Sequence, residues 1–534
     1  MILDRRRFLV SGAVGASMLA LPAWAQFGRG FTHGVASGEP SQHSVLLWTR
    51  FVSESGTRLV AEVSETADFT RIITGGNVTA DPARDGTAKL VVDGLSPDRW
   101  YHYRFVAPDG TKSPVGRTRT LPDDNCASFD LGVFSCSNLP FGWFNAYAHA
   151  AARRDLDLML HLGDYIYEYP RGKYPGAADS IAGRVIEPAG EIVHLADYRL
   201  RHASYRADRD LQALHAACPM VVMWDDHETA NDSSRDGAEN HDPATEGDWA
   251  ARKRAAMRAY HEWMPISDAD WAEYRIGDLA TIFRPETRLT ARTRQASFAE
   301  ALAGGADPVA ALTRFRDDVW QDPSHRLMGA DQEAWLFGGL KRAAKTTRWQ
   351  ILAQQVNMGY EMMPTEAANW LKPDAPKQLG DGIQIGLLAT KLGMPHNMDS
   401  WNGYPLARSR LLRAALDAEA EFVVLSGDSH NGWAYDLNEA GTPAGVEFGG
   451  HSVTSPGYES YFPGIAPADI AKALRGSSPE LRWADTAQRG YMTVSIRPDD
   501  ISTDWLFLST IREKSMRMSG THRERLHRGA RKLS

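Results

Sequence analysis

Cysteine is almost missing from this chain: Cys126, Cys136 and Cys218 are the only three in 534 residues. An odd number that small excludes a disulfide framework and leaves at least one thiol free for another task. Long apolar runs are missing too. No stretch reaches the roughly 20 apolar residues that a membrane-spanning helix needs. Charge of one sign is scarce: 59 Lys and Arg face 67 Asp and Glu, a net −8, so bulk electrostatics imply no nucleic-acid partner. Internal repeats and low-complexity tracts are absent. What is present is 43% apolar residues, 24% charged residues and 16 Trp, the composition of a soluble globular protein. The length suits roughly two or three domains.

Residues 1–25 stand apart. Arg5-Arg6-Arg7 precede Phe8-Leu9, a short apolar run continues to Leu21, and Ala23-Trp24-Ala25 is a small-x-small cleavage pattern. This is a signal peptide rather than an anchor. The arginine pair followed by x-Phe-Leu resembles a twin-arginine export signal; the alternative is an ordinary secretory peptide. The expectation is a mature chain starting near Gln26, carried folded by the twin-arginine translocase to the periplasm or the exterior.

Residues 28–122 read as all-β. Ser44–Arg50, Arg58–Ser64, Ala88–Gly94 and Trp100–Ala107 are short, aromatic or β-branched, and separated by turn residues such as Pro108-Asp109-Gly110. Their spacing predicts a small sandwich of the immunoglobulin or fibronectin type, joined by a linker at Thr120–Asn125. From residue 126 to 511 apolar runs alternate with amphipathic stretches, which predicts an α/β domain. Strands are expected at Phe129–Ser135, Asp157–Gly163, Pro219–Asp225, Trp349–Gln355 and Phe422–Asp428, buried on both faces of one sheet. A helix is expected at Phe144–Arg154, and a helix-rich layer from Ala250 to Ala344. Residues 512–534 form a basic tail with eight Lys and Arg against two Glu. It reads first as a solvated helix or frayed end, and alternatively as a cover over the active site or a contact with an anionic surface.

The chemistry collects just beyond the strand ends. Ser135-Cys136-Ser137-Asn138 follow the first, Gly163-Asp164-Tyr165-Ile166-Tyr167 the second, and Asp225-Asp226-His227-Glu228 with Asn231-Asp232 the third. Gln354-Gln355 with Asn357 follow the fourth, and Gly427-Asp428-Ser429-His430-Asn431 the fifth. That edge of an α/β sheet is where ligands bind. One Asp after a strand is ordinarily a helix cap, one Cys a small buried residue, and one Tyr core. Adjacent carboxylates repel unless a cation or water relieves them. Five such ends together favour a multi-metal centre. Carboxylate and amide oxygens suit hard cations such as Ca²⁺, Mn²⁺ or Mg²⁺. A phenol of ordinary pKa near 10 ionises at neutral pH only beside a strong Lewis acid. Thiolate and phenolate together point to iron, with a harder divalent ion alongside and Asp164 placed to bridge.

The segments "SCSN", "GDYIYEY", "WDDHETAND" and "SGDSHNGW" together resemble the PhoD-type alkaline phosphatases and phosphodiesterases of the metallophosphoesterase superfamily. "GVASGEPSQHSVLLWTR" resembles their N-terminal sandwich, and "GHSVTSPG" (Gly450–Gly457) a downstream stretch. The resemblance implies a metallophosphoesterase-type sheet sandwich flanked by helices. It implies Fe³⁺ held by Cys136, Asp164, Tyr167 and His430, and Ca²⁺ held by Asp164 and Asp428 with Asp226 and Asn231, either of which fills the remaining carboxylate or amide place. The usual superfamily ligands are replaced by Cys136 after the first strand and by Gln354 or Gln355 after the fourth, against ordinary di-zinc or di-manganese loading. Asp164 and His227 are the catalytic candidates. His227 is either a phosphate contact or leaving-group acid, or an orienting residue. Tyr165, Ile166 and Glu168 read as packing or supporting residues. The implied activity is hydrolysis of phosphate mono- or diesters by hydroxide attack, without a phospho-enzyme. A phospholipase D-like phosphodiesterase and a non-catalytic surface-binding protein are the alternatives.

Overall fold

The computed structural model describes residues 28–305 and 307–534, so the expected signal peptide of residues 1–25 lies outside the described residues. Seven strands come first: β1 (Gly30–Gly38), β2 (Val45–Val52), β3 (Thr57–Ser64), β4 (Ile72–Ala80), β5 (Thr87–Val92), β6 (Trp100–Val106) and β7 (Gly116–Arg119). Then come β8 (Phe129–Phe134), β9 (Leu158–His161), β10 (Met220–Val222), β11 (Ala272–Ile276), β12 (Ala280–Arg284), β13 (Trp349–Ala353) and β14 (Phe422–Ser426). The last six are β15 (Gly432–Glu439), β16 (Thr442–Gly449), β17 (Leu481–Asp485), β18 (Arg489–Ile496), β19 (Asp500–Leu508) and β20 (Met518–His527).

These strands form three sheets in a mixed α/β fold. The nine-stranded sheet runs β20-β19-β18-β8-β9-β10-β1-β2-β5, the seven-stranded sheet β11-β12-β13-β14-β16-β15-β17, and the four-stranded sheet β4-β3-β6-β7. The two larger sheets share one core. Leu131, Leu160 and Val221 from the first meet Ile282, Ile351, Val423 and Phe448 from the second. The alternate residues point outward, as the period of two requires. Phe134, Met159 and Val222 pack on Tyr147, Leu211, Leu214 and Tyr260 of the helices outside. On the other flank Leu352 and Val424 pack on Leu336, Leu340, Leu411 and Leu412.

The expectation of one sheet carrying all five strand ends is therefore corrected. Strands β8, β9 and β10 belong to the nine-stranded sheet and β13 and β14 to the seven-stranded one. A near-continuous apolar strand reports burial on both faces, but not whether a helix or a second sheet does the burying. Both kinds of cover occur here.

The N-terminal strands are divided in the same way. β3, β4, β6 and β7 form their own sheet, while β1, β2 and β5 extend the nine-stranded one. Val35 and Leu47 from one layer meet Leu59, Val63, Tyr103 and Phe105 from the other. The junction is the parallel pairing of β1 with β10 at Gly38 and Met220. Gly38 is required there: a Cβ would lie 2.0 Å from the Pro265 carbonyl oxygen and 2.9 Å from that of Met220. β1, β4 and β7 escaped the sequence reading because glycines and scattered polar residues interrupt their apolar pattern. In the middle segment the helices Trp249–Trp263 and Ala330–Ala343 are present, but so is the hairpin β11–β12.

The reading of residues 512–534 as a solvated helix or frayed end is corrected as well. β20 pairs antiparallel with β19 from Leu508↔Met518 to Asp500↔His527, and Arg523 makes a two-bond ion pair with Asp504, both at 2.7 Å. Its outer side chains are charged, as suits an edge strand. Leu526 is its anchor in the shared core, at 1% exposure. Two apolar residues at opposite ends of a polar and charged stretch give no strand signal in the sequence. Leu526→Ala is expected to lower the unfolding free energy by about 2–5 kcal/mol, the usual cost of emptying a buried leucine site. Chemical denaturation measures it, and an unshifted midpoint would show that the strand is not tied to the core.

Candidate metal centre

The loops that leave β8, β9, β10 and β14 meet at one place, joined by the segment 450–457. The backbone is held in an uncommon conformation there. Cys136, Asp164, Asp428 and His430 have φ of 59°, 54°, 62° and 63°, in the left-handed region that non-glycine residues seldom occupy. Such strain persists only where surrounding structure imposes it, and it concentrates at functional sites. Here the Cys136 and Ser137 amides donate to the carbonyls of Gly163 (3.2 Å) and Asp164 (2.9 Å). Gly163, at φ 106°, lets β9's exit pass the next loop: a Cβ would lie 2.3 Å from that of Asp225.

One group contains Cys136, Asp164 and His430, whose ligand-type atoms all lie within 4.8 Å of one another. Tyr167 joins it: its hydroxyl lies 2.9 Å from Asp164 Oδ2, 3.2 Å from His430 Nε2 and 2.7 Å from Ser455 Oγ. His430 Nδ1 lies 2.8 Å from the Pro456 carbonyl oxygen. A carbonyl only accepts, so Nδ1 carries the proton and Nε2 presents its lone pair to the group. Burial pushes His430 down to about 3, which keeps it neutral and fit to ligate. Burial, and then the neighbouring Asp164 carboxyl, push the Cys136 thiol and Tyr167 phenol well up. Neither ionises at neutral pH without a cation beside it.

The second region is carboxylate-rich. Asp164, Asp226 and His227 form one close group and Asp225, Asp226 and Asp428 another, again within 4.8 Å. Asp164 and Asp226, shared between neighbouring groups, chain the three together. Burial raises Asp164 and Asp428 well above the ordinary carboxylate range and Asp225 to about 7. Burial also opposes ionisation of Asp226, but His227 and Arg288 outweigh it and hold that carboxyl low. Asp164 Oδ1, Asp225 Oδ2 and Asp226 Oδ1 are buried without a hydrogen-bond partner. Buried acceptors are ordinarily satisfied. Unsatisfied carboxylate oxygens beside thiol, phenol and imidazole are the donor set that cations fit.

His227 stands at the rim of this region, 7% exposed. Its Nδ1 lies 2.8 Å from Glu168 Oε2, so Nδ1–H donates to the carboxylate and Nε2 is left for other partners. Glu168 also accepts from the Asn231 amide (2.9 Å) and Asn240 Nδ2 (2.7 Å). Burial works against the imidazolium, but Asp226, Glu168 and Asp164 together raise His227 well above its usual value.

Asn231 turns its side-chain nitrogen to Glu239, 3.4 Å away, while Asp225 is the third carboxylate beside Asp226 and Asp428. Gln355 spends its amide on the Trp224 carbonyl (2.7 Å) and the Thr287 hydroxyl (2.6 Å). Gln354 bonds Val356 and Trp401. Both glutamines brace strand ends. Sequence reasoning had named Asp225 without assigning it, and had passed over Ser455, Pro456, Arg288 and Asp399. Ser455 and Pro456 lay in the stretch "GHSVTSPG", where a serine and a proline suggest a turn. Arg288 and Asp399 follow no apolar strand and had no signal. A cavity of about 410 Å³ opens beside the centre, lined by Glu361, His396, Asp428, His430, Tyr458 and Tyr461 among others.

A buried centre of this kind at the meeting of two packed sheets defines a phosphoric ester hydrolase once the relatives are compared. The PhoD-like phosphatase family matches residues 131–505, and the N-terminal domain of PhoD-like phosphatases matches residues 18–122. The chain belongs to this family. It is 31% identical to alkaline phosphatase D of Bacillus subtilis (strain 168) over 557 aligned positions, covering 97% of this chain and 86% of that protein. A solved structure described as the structure of PhoD superposes with a TM-score of 0.77 at 29% identity, over 95% of this chain and 92% of the other.

Gly163→Ala is expected to cost at least about 1–3 kcal/mol, from left-handed strain and the collision with Asp225. A denaturant melt reads the loss, and a melt matching the parent protein would show that the two loops do not meet so closely.

Proposed function

We propose that this chain is an exported alkaline phosphatase that hydrolyses phosphate mono- or diesters at an Fe³⁺/Ca²⁺ centre. The observation that carries the reading is the buried meeting of Cys136, Asp164, Tyr167 and His430 beside carboxylate oxygens left without partners. Cys136, Asp164, Tyr167 and His430 would hold iron; Asp164, Asp226 and Asp428 would hold calcium, with Asp225 beside them and Asn231 at the edge. When bound, such ions supply Lewis acidity toward the phosphoryl group and toward the water that attacks it.

The chain's own groups do the rest. Asp164 belongs to both regions and fixes their separation. Pro456 fixes the His430 tautomer. Glu168 holds the Nδ1 proton of His227 and leaves its Nε2–H to donate to a phosphate oxygen or a leaving alkoxide. The strand order supports a metallophosphoesterase-type sandwich, and the two-layered β1–β7 unit an immunoglobulin-like one. The arginine-bearing leader supports export by the twin-arginine route, in which a folded chain can already hold its metals. Among the described residues, no helix is long and apolar enough to cross a membrane.

A second reading, a phosphodiesterase of the phospholipase D type, draws on one observation. An apolar cavity of about 510 Å³, lined by Pro140, Tyr174, Ile181 and Ile186 among others, adjoins the centre. The Tyr174 ring lies 5.8 Å from that of Tyr167, so an apolar second alcohol has a place to lie. Non-catalytic surface binding gives no reason for a buried ligand set.

Elemental analysis of the chain purified after export, with parallel assays on a monoester and a diester, tests the reading. Iron with calcium is expected, and zinc alone would overturn it. Asp164→Ala should lose both metals and turnover by at least about 10³-fold, the scale of losing a group that acts through the metals. Tyr167→Phe should abolish visible phenolate-to-iron absorption; an unchanged spectrum would remove tyrosine from the ligand set.

A further inference from the structure

Arg288 is fully buried, and its guanidinium faces four carboxylates. Nε donates to Asp225 Oδ1 at 2.5 Å, Nη1 to Asp399 Oδ1 at 2.8 Å, and Nη2 to Asp428 Oδ1 at 3.4 Å, with Asp226 Oδ1 at 3.8 Å. Asp399 is gripped from behind by Arg292, which bonds both its carboxylate and its carbonyl oxygen.

The turn that delivers Arg288 is itself built. Glu286 accepts the backbone amides of Arg288 (2.8 Å), Leu289 (2.7 Å) and Thr290 (2.9 Å). The same carboxylate accepts Trp224 Nε1 at 2.9 Å, and Trp224 immediately precedes Asp225. Gln332 clamps the Glu286 backbone by its amide nitrogen and carbonyl oxygen, both at 2.7 Å. Thr287 reaches Gln355, which returns to the Trp224 carbonyl. One turn thus locks the exits of β10 and β13 and aims a rigid fork at the ends of β10 and β14.

A buried arginine in a phosphatase suggests a phosphate clamp. The geometry assigns a different task. Its donors are committed to aspartates, and it has no exposed surface from which to meet a substrate. Asp399 meets Nη1 with both oxygens, but Asp225 and Asp428 each give Arg288 one oxygen; Asp225 Oδ2 and Asp226 Oδ1 are left without a hydrogen bond. We propose that Arg288 is a positioning residue of the centre, orienting Asp225 and Asp428 so that their free oxygens and Asp226 receive a divalent cation. This rests on the reading under Proposed function. A planar fork fixes two carboxylates at once, whereas a lysine ammonium meets them as a point charge.

The test compares the exported holoenzyme with Arg288→Met and Arg288→Lys. Calcium is titrated back after chelation, and activity and visible absorption are followed together. Arg288 touches none of Cys136, Tyr167 and His430, so the phenolate-to-iron band should persist in both variants and report an intact fold. The calcium concentration giving half activity should rise about 10–100-fold in Arg288→Met, the usual cost of losing a group that orients metal ligands, and about 10-fold in Arg288→Lys. At saturating calcium, inhibition by inorganic phosphate should stay within about twofold of the parent. If Arg288→Met does not fold, Arg288→Lys carries the test. An unchanged calcium response in the variants overturns the proposal, as does full rescue by lysine. Weakened phosphate inhibition at saturating calcium would make Arg288 a clamp and overturn it too. A parent enzyme with no calcium requirement would instead overturn the metal reading on which the proposal rests.

Discussion

Buried negative charge is the constraint on which this structure turns. Asp164, Asp225 and Asp226 come together out of water, with Asp428 beside them on the cavity wall, and such groups persist only if cations or donors compensate them. Much of the surrounding architecture reads as the answer. Arg288 and Arg292 enter from the segment between β12 and β13, Glu168 and Asp226 raise His227, and backbone amides serve Glu228, which receives those of Asp164, Tyr165 and Asp225. The oxygens that remain free are a donor set that cations fit. The left-handed residues at the strand ends are a local cost of aiming several side chains at one point.

The two halves of the centre differ in kind, and the difference follows from what surrounds each. Around Cys136, Tyr167 and His430 the neighbours are neutral hydroxyls and carbonyls, so thiol and phenol keep their protons until a strong Lewis acid removes them. Around Asp225, Asp226 and Asp428 guanidinium and imidazole stand among the carboxylates; they hold Asp226 ionised, while burial and the neighbouring carboxylates raise Asp225 and Asp428. Asp164 faces both. One residue at the end of one short strand therefore couples a soft-donor pocket to a hard-donor pocket.

The sequence made the β8, β9, β10, β13 and β14 segments visible because each is a short apolar run ending in a small or polar residue: Ser, Gly, Asp or Gln. It likewise made visible Cys136, Asp164, Tyr167, Asp226, Asp428 and His430, which directly follow such runs. The structure brings these six together. Residues whose position depends on long-range packing were not visible. Arg288 lies on a turn between a hairpin strand and a helix, Asp399 on an irregular segment, and neither type nor spacing marks them. The number of sheets was hidden for a related reason: alternation reports that a face is covered, and says nothing of the cover. β20 was hidden because its polar face dominates its composition, and only Met518 and Leu526 carry its apolar contacts to the core.

The position of β18 in the nine-stranded sheet sets an order of events. β8, which delivers Cys136, is flanked on one side by β18, paired from Phe129↔Ile496 to Val133↔Met492. That partner is synthesised more than 350 residues later, and β19 and β20 follow it. The thiol arm of the centre therefore has no finished sheet to stand on while most of the chain is still being made. Folding from the N-terminus during synthesis can complete β2–β7 early, but not the strand bearing Cys136. The meeting of Cys136 with the other strand ends is thus completed only in the released chain.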